Sequence, residues 1–511
     1  MANTLLKFGL PVAIVALLYQ AFLSELLFVV LGVGRHIQKV DEFPYQCRRI
    51  EDSRLSACED MWLSDATRQL FLACSEPLVR QRWMPNAARF NVSARSHTDA
   101  IIALDIDKPT TSGNKPSFVY RVLKTPNFPA SPVVGDTSGL QLVGLTGIDS
   151  PEQINLYLVN VKPSVNATTG DFADNALTGA NSTIEHFITG PAATAMKYIR
   201  TYHHSGIATP NNVATAPGMK GFYITNDHGP HKAGWGHALS TYLGTGDVTY
   251  CDTSSPSAIV CAKLAGGLKF PNGLLYHPSH NLLYVPSAVA GNLHVYEPTY
   301  PSGSSMPTLK KVSVIRIPYG MDNLSLDQHT GDIYAAAFPK VSEVMKGFDA
   351  PIGFAAPSTA IRVRKLDGQL KWEWEKTIED GDGAVMPVST TVIRDGKTGR
   401  LFMSGEFVLF YFSSFVVSRP ISFLLYALAS FCTSGISSGC ILVRILSLAF
   451  KNCMTHDAPM RGSLCRCVRM HVKCDVPKVF EGARQLLPPV IGSHSPASQA
   501  KESTHHAALL A

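Results

Sequence analysis

Oxygen-bearing side chains recur along this chain as short runs: Glu59-Asp60, Asn211-Asn212, Asn226-Asp227, Asn272-Gly273 and Asp322-Asn323. One such run is ordinarily a turn or a cap, because short polar side chains bond their own backbone there. Glu59-Asp60, Asn211-Asn212, Asn272-Gly273 and Asp322-Asn323, however, each stand just before an apolar run at the same place in a repeating unit. Asn226-Asp227 closes the second strand of one of those units. Carboxylates mixed with carboxamides, with no thiolates and few imidazoles, form a hard-oxygen set suited to Ca2+.

The repeat is what would bring these oxygens together. Six segments share one form, an apolar strand, a polar turn and a strand carrying an aromatic or Leu: residues 61–63 with 70–72, 145–147 with 156–158, 213–215 with 222–224, 274–276 with 282–284, 324–326 with 332–334, and 391–393 with 400–402. Turns such as His277-Pro278-Ser279-His280-Asn281 and Asp327-Gln328-His329-Thr330-Gly331 read as hairpins. From residue 157 onward the second strands are spaced by 66, 61, 50 and 68 residues, which leaves room for two further strands per unit, such as 292–296 and 313–317. Four strands per unit make a propeller blade, and six units predict an all-β, six-bladed β-propeller over residues 35–407. A pair of β-sandwiches is the alternative, but it explains no period. At equivalent blade positions the oxygen runs face one end of the central channel.

The motifs Cys58-Glu59-Asp60-Met61, Thr225-Asn226-Asp227-His228, Phe270-Pro271-Asn272-Gly273, Asn292-Leu293-His294-Val295-Tyr296-Glu297 and Asp322-Asn323-Leu324-Ser325 resemble the paraoxonase/arylesterase family over roughly residues 40–407. The resemblance implies a six-bladed propeller with two calcium ions in its channel. It assigns Glu59, Asn226, Asn272, Asp322 and Asn323 to a catalytic ion, and Asp60, Asp227 and the Leu145 carbonyl to a structural one. It implies calcium-dependent hydrolysis of a small lactone or aryl ester. Two departures matter. Val143 and Val161 occupy the places of the family's histidine dyad, and valine accepts no proton. The family's early cysteine matches Cys47, but the resemblance stops near residue 407, before its partner. Water activation then falls to Glu59 or Asp322, with His228 a further candidate or a structural rim residue. A catalytically silent binding propeller and a strictosidine-synthase-like propeller remain alternatives, the calcium-type set arguing against the latter.

The ends of the chain differ from its middle. Residues 8–33 are apolar apart from Tyr19, Gln20, Ser24 and Glu25, long enough to span a bilayer, which takes about 20 residues. Residues 1–34 are therefore expected to be an uncleaved transmembrane signal-anchor. The acceptor triplets at Asn91, Asn166 and Asn181 favour a propeller in the secretory lumen or at the cell surface, attached to a membrane by one span. That compartment is oxidising, so Cys47, Cys58, Cys74, Cys251 and Cys261 can pair, and Cys251–Cys261 is the first choice. Residues 408–511 form an aberrant tail, apolar and then basic, with six of the 11 cysteines, of the kind a mispredicted gene end produces. The tail also carries the whole net charge of +6, which leaves a neutral body and argues against nucleic acid as a partner.

Overall fold

The computed structural model describes residues 10–112, 115–150, 153–351, 353–406 and 414–415. The chain divides into two units, Met1–Phe423 and Leu424–Ala511, and all the described elements belong to the first. The expectations for residues 408–511 fall, apart from Ser414–Phe415, outside the described residues.

The first sheet holds β1 (Cys58–Ser64), β2 (Gln69–Cys74), β5 (Ala100–Ser112) and β6 (Lys115–Val122), with the small hairpin β3 (Trp83–Met84) and β4 (Arg89–Phe90) in the β2–β5 connection. The second is β7 (Leu142–Asp149), β8 (Ile154–Lys162), β9 (Asn181–Thr189) and β10 (Lys197–Tyr202). The third is β11 (Pro210–Thr215), β12 (Gly221–Asn226), β13 (Gly246–Asp252) and β14 (Val260–Leu268). The fourth is β15 (Leu275–His277), β16 (Leu282–Pro286), β17 (Asn292–Thr299) and β18 (Thr308–Arg316). The fifth is β19 (Gly320–Leu326), β20 (Ile333–Phe338), β21 (Ser358–Lys365) and β22 (Trp372–Asp380). These are five four-stranded propeller blades. A further sheet of three strands contains β23 (Ser389–Arg394), β24 (Leu401–Gly405) and β25 (Ser414–Phe415).

All six hairpins read from the repeat are present, β1–β2, β7–β8, β11–β12, β15–β16, β19–β20 and β23–β24. Their second strands are mostly apolar and almost wholly buried because both faces are covered. Successive side chains point to opposite faces of a strand. Leu70 and Leu72 therefore pack with Ile393 and Phe402 of the last sheet, whereas Phe71 and Ala73 pack with Leu156 and Phe187 of the second. Ala335 and Ala337 likewise meet the fourth sheet, while Tyr334 and Ala336 meet Val392 and Met403. The innermost strands touch in a cycle, β1 to β7, β11, β15, β19, β23 and back to β1.

An α-helix at Leu10–Leu18 passes into π-helical turns at Tyr19–Leu23 and Leu26–Val30, and among the described residues no helix is long and apolar enough to cross a membrane. The segment's second half is held to the body. Glu25 bonds Lys269 at 2.5 Å, Val29 is buried, and the Arg35 guanidinium donates to the carbonyls of Pro318 and Pro339 while lying over the Tyr319 ring. Cys251–Cys261 is a disulfide, as the sequence predicted, and Cys58–Cys74 is a second one tying β1 to β2. Among the described residues Cys47 is unpaired, and burial pushes its thiol up to about 11. Asn91 and Asn166 are exposed, whereas Asn181 opens β9 half-buried.

Candidate functional site

Each inner strand enters the channel through an irregularity. Register shifts fall between Cys58 and Asp60, Leu142 and Leu145, Pro210 and Val213, Met321 and Leu324, and Ser389 and Thr391. In the fourth sheet Pro271 bridges Ser287 ahead of β15. An extra residue at such a bulge bends the strand and re-aims a side chain. The bulge level carries Glu59, Val143, Asn211, Asn272, Asp322 and Thr390, all buried. Just beyond it stand Asp60, Asn212, Asn323 and Thr391. The repeat thus converts positions far apart in sequence into one polar ring with a valine at the second sheet.

Hydrogen bonds lock part of this ring. Asp60 accepts from the backbone N–H groups of Met61 and Leu145, both at 2.8 Å, from Asn212 Nδ2 at 2.9 Å and from Thr391 Oγ1 at 3.1 Å. Asn212 Nδ2 also donates to Asn323 Oδ1 at 2.7 Å, and Asn323 Nδ2 donates to Glu59 Oε1 at 3.0 Å. Thr390 and Thr391 cap the Glu59 carbonyl at 2.6 and 2.8 Å. Other oxygens are left over: among the described residues, Glu59 Oε2, Asn211 Oδ1, Asp322 Oδ1 and Glu406 Oε1 are buried without a hydrogen-bond partner.

Charge is correspondingly frustrated. Burial, then the Asp60, Asp322 and Glu406 carboxylates, push Glu59 well above its ordinary range. Burial, then Glu406 and Asp60, do the same to Asp322, against a hydrogen bond from Asn272. Asp60 rises to about 6 through burial despite its bonds, and Glu406 to about 7 through burial despite the nearby Arg80 guanidinium. Among the described residues no three His, Cys, Asp or Glu side chains converge closely enough to hold a metal by themselves. A cation here would need the carboxamides, and unsatisfied anionic oxygens beside them fit a hard ion.

The predicted site residues are distributed as follows. Glu59, Asp60, Asn323 and the backbone of Leu145 meet in the bonded knot, and Asn272 joins Asp322 beside it. Leu145, assigned through its carbonyl, meets Asp60 through its N–H. Asn226 turns the other way, its Oδ1 accepting from Ala208 and Thr209 and its Nδ2 donating to Gly206 and, at 2.8 Å, to Asp247. Asp227 accepts from Asn86 at 2.6 Å and Asn211 at 3.3 Å, and bonds His228 Nδ1 at 2.7 Å. His228 is stacked on His237 with centroids 3.6 Å apart, and burial pushes His237 down to about 4. Val143 and Val161 join Trp83, Met84 and Ile184 in an apolar cluster, and Trp83 Nε1 donates to the Val161 carbonyl at 3.1 Å.

Thr390, Thr391, Arg80 and Glu406 enter the site without having been read from the sequence, and Asn211-Asn212, read there as one of the oxygen runs, enters it without having been assigned to an ion. Thr390-Thr391 stands before its apolar run as Glu59-Asp60 does, and Glu406 follows its unit's second strand as Asp227 does, so the repeat carried a signal for both. Arg80 comes from the β2–β5 connection, which lies outside the repeat. That connection is tied to the second and third sheets by Trp83 and Asn86, and two surface cavities, one beside Met196 and one beside Arg362, are lined by no ring residue.

Residues 175–405 match the arylesterase family model, a stretch that contains Asn226, Asp227, Asn272, Asp322 and Asn323. Serum paraoxonase/arylesterase 1 of Homo sapiens is 29% identical over 163 residues, 31% of this chain and 42% of that protein. Serum paraoxonase/arylesterase 2 of Homo sapiens is 26% identical over 196 residues, 38% of this chain and 48% of that protein. The chain thus spans less than half the length of these curated relatives. Among solved structures, regucalcin from Agrobacterium tumefaciens, described as a calcium-binding protein, shares 12% identity with a TM-score of 0.36, covering 74% of this chain and 96% of that one.

Proposed function

This chain belongs to the paraoxonase/arylesterase family, and on that premise we propose that it is a calcium-dependent hydrolase of lactones or aryl esters built on a six-bladed propeller. The observation that carries the reading is that buried oxygens at the bulge level of three sheets, Glu59 Oε2, Asn211 Oδ1 and Asp322 Oδ1, have no hydrogen-bond partner among the described residues. Leaving such groups desolvated and unpaired is costly, and a hard cation satisfies them. Glu59, Asn272, Asp322 and Asn323 would hold a first ion, with Asn211 added and Asn226 giving up the Ala208 and Thr209 N–H groups that its Oδ1 now accepts from. Asp60, Asp227 and the Leu145 carbonyl would hold a second. When bound, such an ion would supply positive charge to polarise an ester carbonyl. The chain's own part is to orient and to exclude water. Asn323 and the two threonines fix Glu59, while Trp83, Met84, Val143 and Val161 offer an apolar wall to the hydrocarbon of a small ester or lactone.

The cycle of inner-strand contacts supports closure by six blades. The two disulfides support an oxidising, secretory compartment, and the exposed apolar side chains of residues 12–33 support attachment to a membrane. Val143 and Val161 favour the second reading, a silent calcium-binding propeller. An assay of the purified protein on aryl acetates and small lactones, with and without a chelator, separates the two. Hydrolysis lost on chelation together with a lowered Tm is expected. A chelation-dependent Tm without hydrolysis selects the silent propeller, and indifference of both removes the calcium reading.

A further inference from the structure

The hydrolase reading leaves open what accepts the proton of the attacking water, because Glu59 and Asp322 are assigned to the ion and the dyad positions are valines. Glu406 is one residue beyond β24, where Gly405 pairs with Ser389. Val161 is one residue beyond Asn160, which pairs with Leu142 in the second sheet. The last sheet therefore presents a carboxylate at the strand-end level where the second presents valine. Glu406 is only 6% exposed, and among the described residues its Oε1 has no hydrogen-bond partner. Arg80 Nη1 lies 3.8 Å from that oxygen, too far to claim it as a hydrogen bond. Arg80 is itself buried, its Nη1 directed at Met84 Sδ at 3.5 Å and its Nε and Nη2 unpartnered. Ser389, the partner of Gly405, is followed by Thr390, whose hydroxyl donates to the Glu59 carbonyl at 2.6 Å, so the strand pair that ends at Glu406 rests against a residue of the proposed ion site. The buried carboxylate of Glu406 thus stands at the end of that strand pair with the Arg80 guanidinium opposite it, and its charge raises both Glu59 and Asp322.

We propose that Glu406 is the general base of the hydrolysis and that Arg80 is its positioning residue, an inference that rests on the hydrolase reading. Glu406 takes one proton from water as the water oxygen forms its bond to the acyl carbon. The acyl carbon–oxygen bond then breaks, and the proton passes from Glu406 to the departing alkoxide or phenoxide. The products are a carboxylic acid and an alcohol or phenol, or one hydroxy acid from a lactone, and no further reactant is required.

The test measures kcat/KM, calcium affinity and Tm for the full chain and for Glu406→Gln and Glu406→Asp. General bases typically contribute about 10²- to 10⁴-fold. Glu406→Gln should lose kcat/KM on that scale with calcium affinity unchanged. Glu406→Asp keeps the charge opposite Arg80 but withdraws the oxygen by one methylene, and it should lose at least tenfold. Added formate should restore part of the rate to Glu406→Ala. Active variants alongside an active parent overturn this proposal alone, as does a fall in calcium affinity that accounts for the lost rate. A parent inactive on every ester and lactone overturns the hydrolase reading, and this proposal with it.

Discussion

Asp322 is held by opposing demands: it is buried beside other carboxylates, and one of its oxygens has no hydrogen-bond partner. A raised carboxyl pKa in the folded state costs stability as pH climbs from the ordinary carboxylate range through the raised value. Asp322→Asn removes that cost, so the metal-free variant should melt a few degrees higher than its parent at neutral pH, on the order of 1 kcal/mol. The gain should vanish below about pH 4, where both forms are neutral. In calcium the order should reverse, because the ion loses a charged ligand, and affinity should fall at least about tenfold. Thermal melts across pH, with chelator and with calcium, read both signs. An unchanged calcium affinity would break the ligand assignment, and an unchanged metal-free melt would show that the Asp322 charge is not frustrated. Residue types announced this site better than residue orientations did. Glu59, Asp60 and Asn323 stand together because strand register dictates it, whereas the Asn226 amide follows the local loop 206–209, whose backbone donors no pattern of residue types reveals.

Hairpin turns tie neighbouring sheets at the end of the propeller opposite the ring. Arg68, in the β1–β2 turn, donates to both oxygens of Asp395 in the β23–β24 turn at 2.8 and 2.7 Å, and Arg394 donates to Asp327 in the β19–β20 turn. Burial alone would raise Asp395, but hydrogen bonds from Arg68, Thr398 and Arg400 outweigh it and hold the carboxyl below its ordinary range. A depressed carboxyl contributes stability that is complete above the unfolded value, about 4, and is lost as pH falls towards the folded one. Asp395→Asn should therefore cost about 2 kcal/mol at pH 7 and progressively less below pH 4. A constant deficit from pH 7 to pH 3 would mean that packing, not charge, holds the turns. The hairpins themselves were legible because strands such as β2 and β20 carry apolar residues on both faces and their turns carry Asp and Thr. Contacts between turns of different sheets were not, since they depend on the blade-to-blade angle and leave no period in the sequence.

Closure of the whole ring depends on its last sheet. β23 touches β19 and β20 on one side and β1 on the other, so this sheet joins the two ends of the blade array. It is also the sheet that the sequence delimits worst. The change in composition at residue 407 suggested that the body ends there, yet Ser414 and Phe415 pair with Phe402 and Leu401. A boundary drawn from charge and cysteine content thus falls inside a sheet, because composition does not report which backbone groups are paired. Truncation after residue 407 removes β25 and leaves β24 with unpaired backbone groups along one edge, a template for association with another chain. Truncation after Phe423 keeps β25 and the whole first unit. The shorter form should elute partly as higher oligomers and melt below the longer one, by about 1–2 kcal/mol or more for the lost ladder hydrogen bonds and burial. It should also bind calcium more weakly, because Glu59 rests on Thr390 and Thr391 of the same sheet. Size-exclusion profiles, melts and calcium titrations of the two truncations provide the comparison. Identical behaviour of both would show that β23 and β24 close the ring without a third strand, and a soluble longer form whose calcium affinity alone collapses would place the defect at the ring rather than at the sheet edge.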